Sequence, residues 1–347
     1  MAVTEFGTGD PQAAKRWSDQ LFRETLGKTY CSRFMGKGSD AIIRMLPDLE
    51  SAPGDNIKYD LRVQDRSNGV QGDTKLKGFE SSLVFHQDEI NIDQLRQAHA
   101  FRGMTQQRTV HDLRAEGRAS LSDWFAWVYD SMTFAYATGV AGDSNESVSG
   151  ILGVGGFAGN ALTAPDADHT FVGSTGFVVG DLDDAVAMAK VTNPRVRPTK
   201  VGGQDKYVAV LHPYSIRSMR IDAGASGWNQ IHQNASARAG SNPIYTGALG
   251  EYNGVVIHES EFIPRVGNTT YNVFLGAGAL TCAFGNAWKK SRRSAGGGGS
   301  YFSYHEETED YDNEEGIAAA SCFGIKKSTF NSADFGVIRI DNTETGP

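Results

Sequence analysis

The most regular hydrophobic pattern lies between Thr109 and Thr138, where apolar or small residues recur every three or four positions. Thr109 with Asp112 can cap the start of a helix, and a start as early as Thr105 is an alternative. Gly139 is a natural end for the helix. About thirty residues at ~1.5 Å each span roughly 45 Å, so the pattern predicts one long helix. The apolar stripe consists of Val110, Leu113, Gly117, Leu121, Trp124, Val128, Met132 and Ala135.

The two halves of this predicted helix differ in polarity. A helix that is apolar nearly all round must be covered on two sides, so we expect a buried second half. The first half is expected to face solvent or a charged neighbour. Away from the stripe, the first half carries Arg108, Asp112, Arg114, Glu116 and Arg118, and the second half carries Trp127, Tyr129, Phe134 and Tyr136. The predicted core positions of the helix are Leu121, Trp124, Val128 and Met132.

Residues 56–92 alternate between apolar and polar side chains on both sides of an Asn68-Gly69 turn, which predicts a long β-hairpin. Its tip is charged and rich in glycine. A two-stranded hairpin of this length is marginally stable alone, so either the rest of the chain covers it or another molecule does. The apolar positions are Ile57, Tyr59, Leu61 and Val63 on the first strand and Leu83, Phe85, Ile90 and Ile92 on the return.

The segments on either side of these two elements predict an N-terminal arm and an α/β domain. An amphipathic stretch from Gln12 to Leu26 includes Trp17, which needs a partner elsewhere. Strand-like and helix-like segments alternate from 142 to 285, which is typical of an α/β domain. The last part of the chain has an acidic run at 306–315, then an apolar strand.

Composition excludes several classes of protein. Of the 347 residues, 39% are hydrophobic and 21% are charged, as in a soluble globular protein large enough for two domains. The net charge of −8 argues against a nucleic-acid reader, although a local basic patch remains open. No apolar run is long enough to cross a membrane, and no signal-peptide pattern is present. Three distant cysteines predict buried thiols in a reducing cytosol.

No motif predicts a catalytic, cofactor or metal site. Gly153 to Ala158 satisfies a dinucleotide-binding pattern, but the flanking sequence predicts neither the strand nor the helix that this fold needs. The acidic run lacks the glycine-dependent spacing of a calcium loop, so a solvated or interface strand is the better interpretation. Metalloprotease, nucleophile-elbow and phosphate-loop motifs do not occur. A catalytic triad assembled from distant residues remains open.

The chain resembles the major capsid proteins of tailed bacteriophages, specifically those of the N-four-like podophages. The likeness covers nearly all of the sequence and rests on the order and spacing of several segments. These are TEFGTGDPQAAKRWSDQLFRETL, YCSRFMG, GDNIKYDLRVQ, GVQGD, INIDQLRQA, RASLSDWFAWVYD, VAVLHP, NGVVIHES, FLGAGAL and EETEDYDNEEGIAAASCFGIKKSTFNSADFGVI.

The resemblance implies an α+β Hong Kong 97 capsid fold in four parts. Residues 1–35 would form the N-terminal arm and 56–86 the extended loop, which is the predicted hairpin. Residues 36–55, 87–141 and 286–347 would form the peripheral domain, with a spine helix at about 105–139. Residues 142–285 would form the axial domain. The GGGGS segment at Gly296 to Ser300 departs from the expected pattern.

The function implied is a structural one, with no enzyme activity and no cofactor. Copies of the chain would assemble into hexamers and pentamers of an icosahedral shell around double-stranded DNA. The packaged DNA would be contacted on the inner face without sequence specificity, and portal, scaffolding and decoration proteins are further expected partners, with no membrane. Assembly would take place in the cytoplasm of the host bacterium, and the mature location would be the virion.

The residues predicted to contact neighbouring copies lie in the arm, the hairpin and the polar half of the helix. Two other functions remain open: a soluble α/β enzyme or small-ligand-binding protein, and an encapsulating shell of the same fold without a phage. The predicted contact residues are Trp17, Arg62, Arg66, Lys75, Lys77, Arg114 and Arg118.

Overall fold

The structure of the chain is a computed structural model. It describes residues 21–344 except 22–23, 26, 47–53, 63–69, 74, 76, 79, 81, 143–147, 153–155, 202, 222–249, 286–301 and 312. Trp17 and Arg66 lie outside these ranges, and so does the side chain of Arg62.

The predicted long helix is present, but it starts later than the hydrophobic pattern indicates. A short helix, α1 (Gly103–Arg108), precedes the long helix α2 (Leu113–Thr138). The expected spine helix at about 105–139 is therefore wrong at its start. Asp112 caps α2 because its carboxylate accepts the backbone N–H groups of Arg114 and Ala115. The Thr109 hydroxyl instead accepts the backbone N–H of His111, at 3.2 Å, in the break between the two helices.

The expected difference between the two halves of α2 is confirmed. From Phe125 onward every residue is buried except Trp127, which is partly exposed. Leu121, Val128 and Met132 are fully buried, whereas Trp124 is only partly buried. Gly139 ends the helix in a left-handed conformation, with φ 72°, that a side chain would disfavour. Val110 is fully exposed because it lies in the break and not on the helix.

The buried half of α2 lies against a sheet to which six strands of the described ranges belong. The order is β1-β2-β13-β15-β14, and β5 pairs with the other edge of β15. Aromatic side chains join helix and sheet: the ring centroids of Tyr129 and Phe323 are 4.6 Å apart, and those of Phe125 and Phe302 are 4.8 Å apart. The strands are β1 (Met35–Gly36), β2 (Ile43–Leu46), β5 (Asp93–Arg102), β13 (Leu280–Phe284), β14 (Phe302–Glu309) and β15 (Glu314–Lys327).

A second, larger sheet carries the predicted α/β segment. Its main order is β6-β18-β12-β8-β10-β9, and β7 and β11 pair with β8 and β12. The helices α4 (Val179–Val191) and α5 (Pro213–Ile221) pack against it, while α3 (Ser149–Leu152) lies nearer α2. The strands are β6 (Thr170–Thr175), β7 (Thr199–Val201), β8 (Gln204–Leu211), β9 (Gly250–Tyr252), β10 (Val255–Glu259), β11 (Arg265–Val266), β12 (Thr269–Leu275) and β18 (Val337–Thr343).

Two strands pair outside the sheet that chain order would assign to them. β13 was expected in the axial segment 142–285, but it pairs with β2 and β15 of the first sheet. β18 was expected in the peripheral segment 286–347, but it pairs with β12 and β6 of the second sheet. The predicted domain limits follow chain order, whereas strand pairing here joins residues far apart in the sequence. The domain limits themselves stay a prediction.

The predicted hairpin is present and partly covered by its own chain. β3 (Asn56–Arg62) pairs antiparallel with β4 (Phe85–Asn91), within the hairpin predicted over 56–92. The return strand extends past 86, where the resemblance ends the extended loop. We call residues 56–91 the ribbon. Near its root, Ile57, Tyr59 and Ile90 pack on a small cluster of buried residues that belong to the body of the subunit. The other members of this cluster are Leu46, Ala283, Phe330 and Phe335. Phe330 lies in β16 (Thr329–Phe330), and Phe335 follows its partner strand β17 (Ala333–Asp334).

The end of the predicted N-terminal arm packs on the long helix of its own chain. Leu21 and Thr25 are fully buried, and a turn of 3-10 helix at Tyr30–Phe34 leads into β1. Within the arm, residues 1–20, 22–23 and 26 lie outside the described chain. The described part of the arm is therefore bound to its own subunit, and the assignment of residues 1–35 to an N-terminal arm stays a prediction.

Candidate assembly surfaces

The distal part of the ribbon exposes a strip of apolar side chains. Leu83, Val84 and Phe85 are 65%, 46% and 51% exposed. Lys75 and Lys77, which were predicted to contact a neighbour, are exposed farther along the same ribbon. Consecutive exposed apolar residues beside polar ones are typical of a surface that another molecule covers.

The root of the ribbon is held by one carboxylate. Asp88 Oδ2 accepts the hydroxyl of Tyr59 at 2.6 Å and the backbone N–H of Thr329 at 3.2 Å. Asp88 Oδ1 accepts the ammonium group of Lys326 and the backbone N–H of Glu89. Burial, followed by the nearby Asp88 carboxylate, raises the pKa of Tyr59 well above its ordinary value, so the phenol remains a donor. One side chain thus joins β3, β4, β15 and β16.

A second contact holds the end of the ribbon. The side-chain amide of Asn160 accepts the backbone N–H of Asn91 at 3.0 Å and donates to its carbonyl at 2.8 Å. Gly324 lies beside this contact, where an added Cβ would come within 2.0 Å of the Asn91 carbonyl oxygen. Backbone and side chain are therefore closely packed where the ribbon meets the body.

The polar half of α2 pairs with acidic groups of its own chain. Arg114 makes a bidentate contact with Glu306 of β14, with Nε and Oε1 2.8 Å apart. Arg118 binds Glu24 at 3.0 Å. These arginines were predicted to contact neighbouring copies, and that role stays a prediction. No local pattern in the sequence indicates their intrachain partners.

A buried carboxylate fastens residues 30–31 to the long helix. Asp130 Oδ2 and Oδ1 accept the backbone N–H groups of Tyr30 and Cys31 at 2.7 and 2.8 Å. Burial raises the pKa of Asp130, and these two hydrogen bonds oppose the rise. Burial also raises the pKa of the Cys31 thiol well above its usual range. The hydrophobic pattern of the sequence could have singled out this residue, because Asp130 is a charged position in the apolar half of the helix.

The open face of the first sheet is a shallow groove with a floor of small residues. Ala318 and Ala320 of β15 lie along the floor, Arg96 of β5 on one side, and His305 and Glu307 of β14 on the other. The two sides of the groove thus carry opposite charges. At the far end of this sheet, three exposed apolar side chains stand out: Met104, Val110 and Tyr311.

One cluster of possible metal ligands occurs in the described ranges. Ligand atoms of Asp166, His169 and Asp334 lie within 4.8 Å of one another. The ammonium group of Lys327, however, is 2.6 Å from Asp334 Oδ1 and 3.1 Å from the carbonyl oxygen of Ala164. It already supplies the positive charge that a cation would bring to Asp334. The cluster is therefore better explained as an ion pair that joins two loops.

In the described ranges, no helix is long and apolar enough to span a membrane.

Comparisons with known proteins converge on one family. A family model described as phage capsid protein matches residues 5–345. The major capsid protein of Pseudomonas phage KPP25 is 26% identical over 360 residues, which cover 93% of each chain. The capsid of Ralstonia phage GP4 has a TM-score of 0.79 and 31% identity, and the match covers 100% of this chain and 99% of that one. The capsid asymmetric unit of cyanophage Pam1 has a TM-score of 0.71 at 18% identity over 100% and 95% of the two chains, which is a likeness of fold.

Proposed function

The chain belongs to the phage capsid protein family, and on this premise we propose that it is the major capsid protein, whose copies form the icosahedral shell around the phage DNA. Its fold is the Hong Kong 97 capsid fold. The more specific assignment to the N-four-like podophages stays a prediction. No step of chemistry is required of such a protein, because its activity is to bind copies of itself.

The main support for this proposal is the ribbon, with its anchored root and its exposed distal strip. Its root is anchored on the body by Asp88 and Asn160, whereas its distal strip of Leu83, Val84 and Phe85 is exposed. A subunit that remained a monomer would gain nothing from holding an apolar strip in water. We infer that the strip lies on a neighbouring copy, and that Lys75 and Lys77 contribute polar contacts there.

The remaining parts support the same arrangement. The first sheet with α2 corresponds to the proposed peripheral domain, and the second sheet corresponds to the proposed axial domain that closes hexamers and pentamers. Each contact between copies can be modest, because several act together on every subunit. The net charge of −8 suits a container that holds DNA on its inner face without binding it tightly. Portal, scaffolding and decoration proteins are the further partners that such a shell needs, and the host cytoplasm is where it would assemble.

The test replaces the apolar strip with small polar residues. The variant Leu83→Ser/Val84→Thr/Phe85→Ser is expected to melt like the wild type, because these side chains are exposed, and to lose assembly in sedimentation velocity. A matched control, Lys58→Gln/Glu89→Gln, removes an exposed ion pair of 3.8 Å elsewhere on the ribbon and should assemble normally. Shells of normal yield from the strip variant would contradict the proposed role of the ribbon.

A further inference from the structure

We propose that the Asp88–Lys326 ion pair sets the direction in which the ribbon leaves the subunit, and thereby the curvature of the shell. This inference rests on the proposed function, because direction matters only if the ribbon binds a neighbour. Asp88 and Lys326 are thus positioning residues, which act through the ribbon and not at the contact itself.

The pair is placed to control direction because it joins the ribbon to a long strand of the body that has three partners. Lys326 lies on β15, which pairs with β5, β13 and β14, and Lys326 itself pairs with Thr281 of β13. Its ammonium group reaches Asp88 and also donates to the carbonyl of Glu89 at 3.0 Å, so it holds a side chain and the backbone of β4 together. The two side chains are 20% and 6% exposed, which shields the pair from solvent and salt.

A small rotation of the ribbon about the Asp88–Lys326 pair would move the distal strip by a distance comparable with a side-chain contact. Asp88 pairs with Tyr59 in the middle of the ribbon, and Phe85 of the distal strip lies three residues farther along β4, or about 10 Å at ~3.3 Å per residue. A tilt of about 10° at the ion pair would therefore displace Phe85 by roughly 2 Å, which is about half of the distance over which side chains make contact. The apolar cluster at the root cannot supply the same precision alone, since apolar packing is not directional.

A buried ion pair is weak support for stability but can select one arrangement among several. A neutral pair of similar shape should therefore preserve the fold and relax the angle. In Asp88→Asn/Lys326→Gln, the amide oxygen at position 88 can still accept from Tyr59 and Thr329. The amide nitrogen takes the place of Oδ1 and can donate to the side-chain oxygen of the glutamine introduced at position 326, and only the backbone N–H of Glu89 loses its acceptor. The two charges that fix the relative position of β4 and β15 are lost.

The neighbouring residue on β15 provides a matched control. Lys327 also makes an ion pair of low exposure, with Asp334, but its contacts go to residues 164 and 334 and not to the ribbon. Lys327→Gln/Asp334→Asn thus changes the same charges one residue along the same strand. A general effect of losing a buried ion pair would appear in both double variants, whereas an effect on ribbon direction would appear only in the first.

The experiment compares wild type and both double variants by thermal melting of the subunit and by electron microscopy of assembled particles. We expect similar melting temperatures, one diameter class for the wild type and the Lys327 variant, and loss of that single class for the Asp88 variant in favour of mixed diameters or open sheets. A single wild-type diameter class for a folded Asp88 variant would overturn the inference. If the double variant does not fold, Lys326→Gln alone is used, because Asp88 then keeps three donors, and the same criterion applies. A wild-type chain that never assembles would overturn the proposed function and this inference together.

Discussion

Arg114, at the start of the long helix, and Glu306, in the acidic run, form a bidentate ion pair although they are 192 positions apart in the sequence. The Glu306 side chain is 13% exposed and also accepts the hydroxyl of Tyr304 at 2.8 Å. The charged half of the helix therefore forms an ion pair within its own subunit. A further role of Arg114 at a neighbour is a separate question that substitution can answer.

Reversing the charge at Arg114 tests both roles. Arg114→Glu places two carboxylates together and should lower the free energy of unfolding by about 1 to 2 kcal/mol, a modest value because the arginine is partly exposed. The swap Arg114→Glu/Glu306→Arg should restore most of that loss in urea melts. If the swap restores folding but not assembly, Arg114 also contacts a neighbour. If the single reversal leaves stability unchanged, the intrachain pair contributes nothing.

Adjacent aromatic residues of the long helix should differ in their contribution to stability. Phe125 is fully buried and packs edge-to-face on Phe302, so Phe125→Ala should cost about 3 to 5 kcal/mol. Trp124 is only partly buried, so Trp124→Ala should cost about 1 to 3 kcal/mol despite the larger side chain. Chemical denaturation of the two variants gives the comparison, and an equal or reversed order would show that the buried side of the helix is wrongly assigned.

The stability of the subunit should decrease in mild acid because of His212. Burial, together with the nearby Arg265, lowers the pKa of His212 from 6.5 to about 4, and its Nδ1 accepts the backbone N–H of Tyr214 at 3.1 Å. The folded state thus prefers the neutral ring. The stability that this preference contributes is fully present above the unfolded pKa of 6.5 and is lost as the pH falls towards 4.

The free energy of unfolding should fall by about 1 to 3 kcal/mol because of His212, a value limited by the partial exposure of the ring. Urea melts of the wild type and of His212→Asn at pH 6.5 and 4.5 isolate this loss from that of the carboxylates. The variant should lose less stability than the wild type over this range. Equal losses in the two proteins would show that His212 does not contribute.

Shortening the tip of the ribbon should separate folding from assembly. Deletion of Asp65 to Asp73 leaves β3, β4 and the root contacts of Asp88 and Asn160 in the chain, so the thermal melt should keep its midpoint and cooperativity. Assembly should weaken, because the ribbon then presents less surface to a neighbour. Loss of the cooperative melt would mean that the tip belongs to the core of the subunit. Light scattering and calorimetry on the same sample provide both readouts.

Elements with a local pattern could be predicted from the sequence. The stripe of the long helix and the alternation in the ribbon each depend on residues within one element, and both elements are present. The start of the helix was wrong because Thr109 and Asp112 both have capping side chains. Only the geometry shows that Asp112 caps the helix while Thr109 binds the backbone N–H of His111.

Relationships between distant residues could not be predicted in this way. Lys326 and Asp88 are 238 positions apart, and no periodicity links a lysine in one strand to an aspartate in another. The exchange of β13 and β18 between the two sheets has the same cause, since an apolar strand shows that it is buried but not which strand it pairs with. The residues predicted to contact neighbours were chosen for charge, and charge alone does not distinguish an intrachain partner from one on another subunit.

Electron cryomicroscopy of the purified full-length chain after assembly tests the central claim most directly. The account predicts closed shells of hexamers and pentamers, with the strip of Leu83, Val84 and Phe85 covered by a neighbouring subunit. Particles that remain monomeric, with a saturable small-molecule site, would contradict it. A closed shell in which the ribbon folds back on its own subunit would keep the capsid function but contradict the role given to the ribbon.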